Sequence, residues 1–84
     1  MEKDVVIQLK SGLDTRPVAM LVQVASHYPC ETFLVTGTKR VNAKSIMGMM
    51  TLGLVSGERV TVVTHGEKEG EALAEIEAYL TNAG

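Results

Sequence analysis

Segments with strand spacing alternate with segments of helical spacing along this chain of only 84 residues. From Val5 to Lys10 every second residue belongs to one apolar set (Val5, Ile7, Leu9), which is typical of a strand with one buried face. From Arg16 to about His27 the apolar residues recur at i, i+3, i+4 and i+7, which predicts an amphipathic helix. Each such element has to bury its apolar side against another element, so the chain must build a shared core.

The remaining segments continue this alternation. A strand over 32–35 leads through the turn 36–38 into a short strand at 40–41, which predicts a hairpin. Ser45 is placed to cap a helix over 46–54, with Gly53 or Gly57 as its terminator. A strand over 59–64, a loop over 66–70 and an amphipathic helix to the C-terminus follow. The order β-α-β-β-α-β-α predicts one α+β domain over residues 1–84, a mainly antiparallel sheet with helices on one face.

Size and charge exclude several classes of function. A domain of this length buries little more than ~60% of its unfolded surface, so we expect no deep cavity. The net charge is −2, the eight basic residues are scattered and Trp is absent, which argues against direct nucleic-acid binding. No apolar run approaches the ~20 residues of a membrane helix. Cys30 has no partner for a disulfide, so we expect a cytoplasmic protein in a reducing compartment.

Motifs for metal or nucleotide chemistry are missing from the sequence. His27, Cys30 and His65 are the soft ligands, and their spacing matches no zinc motif. Neither a P-loop nor a G-x-G-x-x-G turn occurs. We therefore expect no metal site and no cofactor, whereas hydrolase chemistry is unsupported by the order or spacing of the residues and is left open.

Two segments place polar groups next to apolar residues at a predicted helix start. In 12–17, Asp14 and Thr15 serve either as helix caps or as part of a site for an anionic group. In 42–50, Ser45 is a cap, and Ile46, Met47 and Met50 belong either to the core or to a flexible partner-binding patch. The pattern alone leaves both alternatives open.

These two segments resemble motifs of HPr, the histidine-containing phosphocarrier of the bacterial phosphoenolpyruvate-dependent sugar phosphotransferase system. Gly-Leu-Asp-Thr-Arg-Pro at 12–17 is similar to the Gly-Leu-His-Ala-Arg-Pro active-site loop of that family. Lys-Ser-Ile-Met-Gly at 44–48 matches its regulatory serine motif, in the form typical of low-GC Gram-positive bacteria. The resemblance covers essentially the whole chain and implies an open-faced β-sandwich of four antiparallel strands and three helices.

One departure from the family pattern changes the implied function. Asp14 stands where the family has its phosphorylatable histidine, whose ring nitrogen is a nucleophile near neutral pH. Loss of that histidine with retention of the serine resembles a narrower group, the catabolite repression HPr-like proteins (Crh), which have glutamine there. This resemblance implies phosphorylation of Ser45 by HPr kinase/phosphorylase and a role as corepressor of catabolite control protein A. The partner contacts that it implies are Asp14, Arg16, Ala19, Val22, Ile46, Met47 and Met50.

Two alternatives remain. The chain is a phosphocarrier that accepts a phosphoryl group from enzyme I on Asp14, or it is an HPr-like adaptor of another pathway in which Ser45 only caps a helix. None of these three functions gives the protein catalytic activity of its own, and for none of them do we expect direct contact with nucleic acid or with a membrane.

Overall fold

A four-stranded sheet and three helices make up the computed structural model, which describes residues 1–10 and 15–82. The strand order is β1-β4-β2-β3, and all three neighbouring pairs are antiparallel. The predicted α+β class and element order are therefore confirmed. The elements are β1 (Glu2–Val6), α1 (Thr15–Ser26), β2 (Glu31–Thr36), β3 (Lys39–Asn42), α2 (Ile46–Met50), β4 (Arg59–His65) and α3 (Glu69–Leu80).

One face of the sheet forms the core with the helices. Along β4, Val60, Val62 and Thr64 are buried while the residues between them are not, as expected from strand geometry. Helix α3 packs on β1 and β4, α1 packs on α3 and α2, and α2 contacts β3. The core cluster consists of Val5, Ile7, Val18, Leu21, Ala25, Leu34, Ala43, Met49, Leu52, Leu54, Val60, Val62, Leu73, Ile76 and Leu80.

The opposite face of the sheet is open. Phe33 and Val63, which face each other across β2 and β4, are half-buried there. The guanidinium carbon of Arg40 lies 4.2 Å from the centroid of the Phe33 ring, a cation–π contact. The hydroxyl of Thr61 donates to Asp4 Oδ1 at 2.6 Å. Such contacts cover the open face locally with this chain's own side chains.

The predicted hairpin between β2 and β3 is present, but its turn has two central residues rather than the predicted three, because Thr36 still belongs to β2. Thr36 pairs with Lys39, so Gly37 and Thr38 are its central residues. Gly37 has φ +57°, and Thr38 is not among the residues with positive φ. A first central residue with positive φ is the pattern of a type II′ turn, which favours glycine there.

Three other predicted boundaries were wrong. The first strand is paired over Glu2–Val6 rather than from Val5 onward, because β4 extends to His65 and pairs with the polar N-terminal residues. The alternation of apolar residues correctly identified Val5 and Ile7 as buried. It did not indicate which residues form hydrogen bonds to the neighbouring strand. Beyond the strand, Ile7 N donates to Glu58 O at 2.8 Å.

The second helix ends at Met50 rather than Leu54, and the third begins at Glu69 inside the predicted loop. Thr51 ends α2, since its hydroxyl and amide both bond Gly48 O. Leu52 and Leu54 are buried although they follow the end of the helix. The end of the predicted helix is therefore an irregular segment whose leucines pack in the core. Lys68, with φ +63°, precedes α3.

Two buried threonines face each other across β2 and β4, and they differ in one hydrogen bond. Thr32 and Thr64 are both fully buried and directly paired. The hydroxyl of Thr64 donates to Glu69 O at 2.9 Å, whereas Thr32 Oγ1 has no partner among the described residues. A buried hydroxyl without a partner destabilises the folded state.

Thr32→Val should therefore raise the free energy of unfolding by about 1 kcal/mol, since a methyl group replaces an unpartnered buried hydroxyl. Thr64→Val is the matched control and should lower it, because it removes the hydrogen bond to Glu69 O. Urea unfolding of the three proteins measures both changes. A loss of stability in Thr32→Val equal to that in Thr64→Val would contradict this account.

Candidate functional site

Ser45 is the N-cap of α2, as predicted. Its backbone is extended (φ −111°, ψ 112°), and its Oγ accepts a hydrogen bond from Gly48 N at 3.2 Å. Its carbonyl accepts from Met49 N at 3.0 Å. A serine in this position satisfies a helix N–H that would otherwise have no partner. The side chain is half-buried and therefore remains in contact with solvent.

Gly48 keeps the space beside the Ser45 hydroxyl unfilled. A Cβ at position 48 would lie 3.4 Å from Ser45 Oγ and 3.6 Å from Val41 Cβ. Those are ordinary van der Waals distances, so alanine fits but would cover part of the hydroxyl. The glycine of the 44–48 motif thus maintains access to the serine next to it.

The residues before Ser45 fix its position. Asn42 Oδ1 accepts from Lys44 N at 2.8 Å, and Ser45 N donates to Asn42 O at 3.0 Å. The ammonium of Lys44 donates to Tyr28 O at 2.7 Å, in the turn that follows α1. A hydrogen bond with Glu75 of α3 raises the pKa of the Tyr28 hydroxyl, with smaller contributions from burial and from the nearby carboxylates. These bonds join the start of α2 to the end of α1 and to α3.

The apolar residues of α2 divide between the core and the solvent. Met49 is fully buried, whereas Ile46 is 48% exposed, Met47 82% and Met50 41%. A helix of five residues buries one side only, so the other three side chains form a patch beside Ser45. The sequence left open whether these residues belong to the core or to the surface, and the structure places all three on the surface. We call Ile46, Met47 and Met50 the α2 patch.

Helix α1 presents further residues next to α2. Arg16 is exposed, while Ala19 and Val22 are half-buried, and Val22 packs against the core. Met20, which the sequence analysis did not single out, is 48% exposed. Met20 precedes Leu21 and does not belong to the buried set 18, 21 and 25. The helical periodicity of the apolar residues therefore already predicted that Met20 points away from the core.

A tyrosine of α3 holds the first turn of α1. Tyr79 OH donates to Pro17 O at 3.2 Å, and burial raises the pKa of this hydroxyl. The bond ties the residue after Arg16 to the C-terminal helix. Asp14, the predicted cap and implied contact residue, lies outside the described residues.

The other candidate ligands do not form a site. His27 and His65 are exposed and Cys30 is buried. Within residues 1–10 and 15–82, no three His, Cys, Asp or Glu side chains are grouped as a metal site would require. None of the helices in that part of the chain has the length and apolar character needed to cross a membrane. A depression lined by Met1, Val35, Arg40, Val63 and His65 among others lies on the open sheet face and not at Ser45.

Ser45→Ala should lower the free energy of unfolding by about 1 kcal/mol, because the amide of Gly48 loses its hydrogen-bond acceptor. Ser45→Asn should retain most of the stability, since asparagine is an equally good N-cap. Thermal and urea unfolding of the two variants provide the comparison. Equal stability of Ser45→Ala and the parent chain would show that the cap contributes nothing.

Comparisons of the sequence and of the structure with known proteins find relatives of the same family. The family model described as "PTS HPr component phosphorylation site" matches residues 1–82. The chain is similar to the HPr-like protein Crh of Halalkalibacterium halodurans, at 44% identity over 95% of each chain. It is equally similar, at 44% identity, to Crh of Bacillus subtilis over 95% of this chain and 94% of that one. The crystal structure of the phosphocarrier HPr of Bacillus anthracis superimposes with a TM-score of 0.92 at 41% identity, covering 95% of both chains.

Proposed function

The chain belongs to the HPr family of the phosphotransferase system, and on that premise we propose that it is a regulatory member switched by phosphorylation of Ser45. In this proposal HPr kinase/phosphorylase modifies Ser45, and the phosphorylated protein acts in the cytoplasm as corepressor of catabolite control protein A. The observation that carries it is the N-cap hydroxyl of the half-buried Ser45 beside the exposed α2 patch. Similarity to two proteins named Crh supports it.

The local structure suits a switch that changes the surface rather than the fold. Phosphorylation adds about −1.5 to −2 charges at pH 7, and negative charge next to unpaired amides at a helix start is favourable. Ser45 Oγ already lies 3.2 Å from Gly48 N, so a phosphoryl oxygen has a donor nearby. Met49 keeps α2 anchored in the core whatever the state of Ser45.

Recognition by a partner then combines two kinds of contact. The phosphate offers an anchor for an Arg or Lys of the partner through charge-assisted hydrogen bonds. The α2 patch offers flexible apolar area, and Arg16, Ala19 and Val22 extend the surface along α1. Asp14, Ile46, Met47 and Met50 complete the contact set that we propose.

The carrier function is not part of this proposal, because Asp14 replaces the histidine that carries the phosphoryl group in HPr. A phosphorylated aspartate would be an acyl phosphate on a shorter side chain. Enzyme I would have to transfer its phosphoryl group to a carboxylate that extends less far from the backbone than the histidine ring of HPr does.

Intact-protein mass after two parallel reactions tests the assignment. With HPr kinase/phosphorylase and ATP we expect one added phosphate, absent in Ser45→Ala and retained in Ser56→Ala, an exposed serine outside the motif. With enzyme I and phosphoenolpyruvate we expect none. A phosphate from enzyme I that disappears in Asp14→Ala would establish the carrier alternative, and no phosphate in either reaction would favour the adaptor.

The variant Gly48→Ala should change kinase access to Ser45 and the stability of the protein in opposite directions. Alanine should stabilise α2 by about 0.5 to 1 kcal/mol, because glycine inside a helix is the more costly residue and its φ here is not positive. The same methyl group should slow phosphorylation of Ser45, since it lies against Oγ. Kinase rates and urea unfolding of the parent and the variant measure the two effects. Unchanged rates in a stable Gly48→Ala protein would mean that Gly48 does not govern access.

A further inference from the structure

The methionines of this chain differ sharply in exposure. Within the α2 segment, Met47 is 82% exposed and Met50 41%, whereas Met49 is fully buried. Met20 on the neighbouring helix α1 is 48% exposed. A thioether in contact with solvent is open to oxidants, while a thioether in the core is reached only when the structure opens locally. Three neighbouring positions of one short segment therefore differ in expected reactivity.

The single thiol of the chain does not compete for an oxidant. Cys30 is the only cysteine, and it is 2% exposed. Oxidation of cysteine depends on exposure and on thiolate character, so a buried thiol reacts slowly. A mild peroxide should consequently react with Met47 before it reacts with the other methionines of α2 or with Cys30.

We propose that Met47, with Met50 as a secondary position, is a reversible oxidation site that weakens partner docking. A peroxide transfers one oxygen atom to Sδ: the O–O bond breaks, an S=O bond forms, sulfur loses two electrons and water leaves when the oxidant is hydrogen peroxide. A methionine sulfoxide reductase reverses the step at the expense of a thiol reductant. The docking consequence rests on the proposed function, whereas the order of oxidation does not.

Oxidation of Met47 should change the surface of the protein without changing its fold. A sulfoxide on Met47 stays in solvent, so α2 keeps its core anchor, Met49, and its cap, Ser45. In a complex the same sulfoxide would be buried against apolar partner surface, and burying a polar group without a partner is costly. Oxidation should thus leave the free protein folded and penalise only the bound state.

The first measurement is partner-free: full-length protein is titrated with hydrogen peroxide, and peptide mass spectrometry follows each methionine. We expect Met47 to oxidise first and Met49 at least about tenfold more slowly, because Met49 needs local opening. Thermal unfolding of the singly oxidised protein should match the untreated protein. Oxidation of Met49 at the rate of Met47, or loss of the folded state with the first sulfoxide, would overturn the proposal.

The second measurement is affinity of the Ser45-phosphorylated protein for the catabolite control repressor, each variant being compared before and after limited oxidation. The parent protein should lose about tenfold in affinity and regain it after reductase treatment. Met47→Leu should lose much less relative to its own untreated value, while Met20→Leu should behave like the parent.

Equal losses in Met47→Leu and the parent would contradict Met47 as the site. Absence of binding by the untreated phosphoprotein would refute the proposed function and the docking consequence together. The oxidation order, measured without any partner, would still decide whether Met47 is the reactive position.

Discussion

Strand β4 is the element on which the remaining structure depends. It lies inside the sheet and pairs with β1 on one side and β2 on the other. Its buried residues Val60, Val62 and Thr64 face the helices, and α3 packs directly on it. Helix α3 in turn packs against α1, so the placement of α1 depends indirectly on this strand. Ser45, the α2 patch and Arg16 all belong to or precede helices, and these helices pack together with α3 on the face of the sheet that contains the buried side chains of β4.

Helix α2 is short, and this explains why residues 46–50 contribute both to the core and to the surface. Five residues make little more than one helical turn, and a single side chain, Met49, fixes the segment to the core. The chain then leaves the helix and buries Leu52 and Leu54 from an irregular segment. The short helix leaves Ile46, Met47 and Met50 available beside Ser45.

Spacing in the sequence was sufficient for the class of the fold and for the Ser45 cap. It failed where burial and hydrogen bonding differ: the polar strand residues Glu2–Asp4 pair with β4 although all three are exposed. It also failed at 46–54, where an apolar run continues after the helix has ended, because core burial does not require helical structure. The exposure of Met47 could not be read from the sequence, since it depends on which side of a one-turn helix meets the sheet.

The pairing of β1 with β4 joins residues 2–6 to residues 59–63. During synthesis β1 precedes β4 by more than fifty residues, so this edge strand has no neighbour until Arg59–His65 has followed. Pairings between distant parts of a chain form slowly because the intervening loop must be closed first. The hairpin β2–β3 and helix α1 can form locally in the meantime. A nascent chain thus exposes an unpaired β1 until β4 has been synthesised, which makes that strand a point of contact for chaperones and for misassembly.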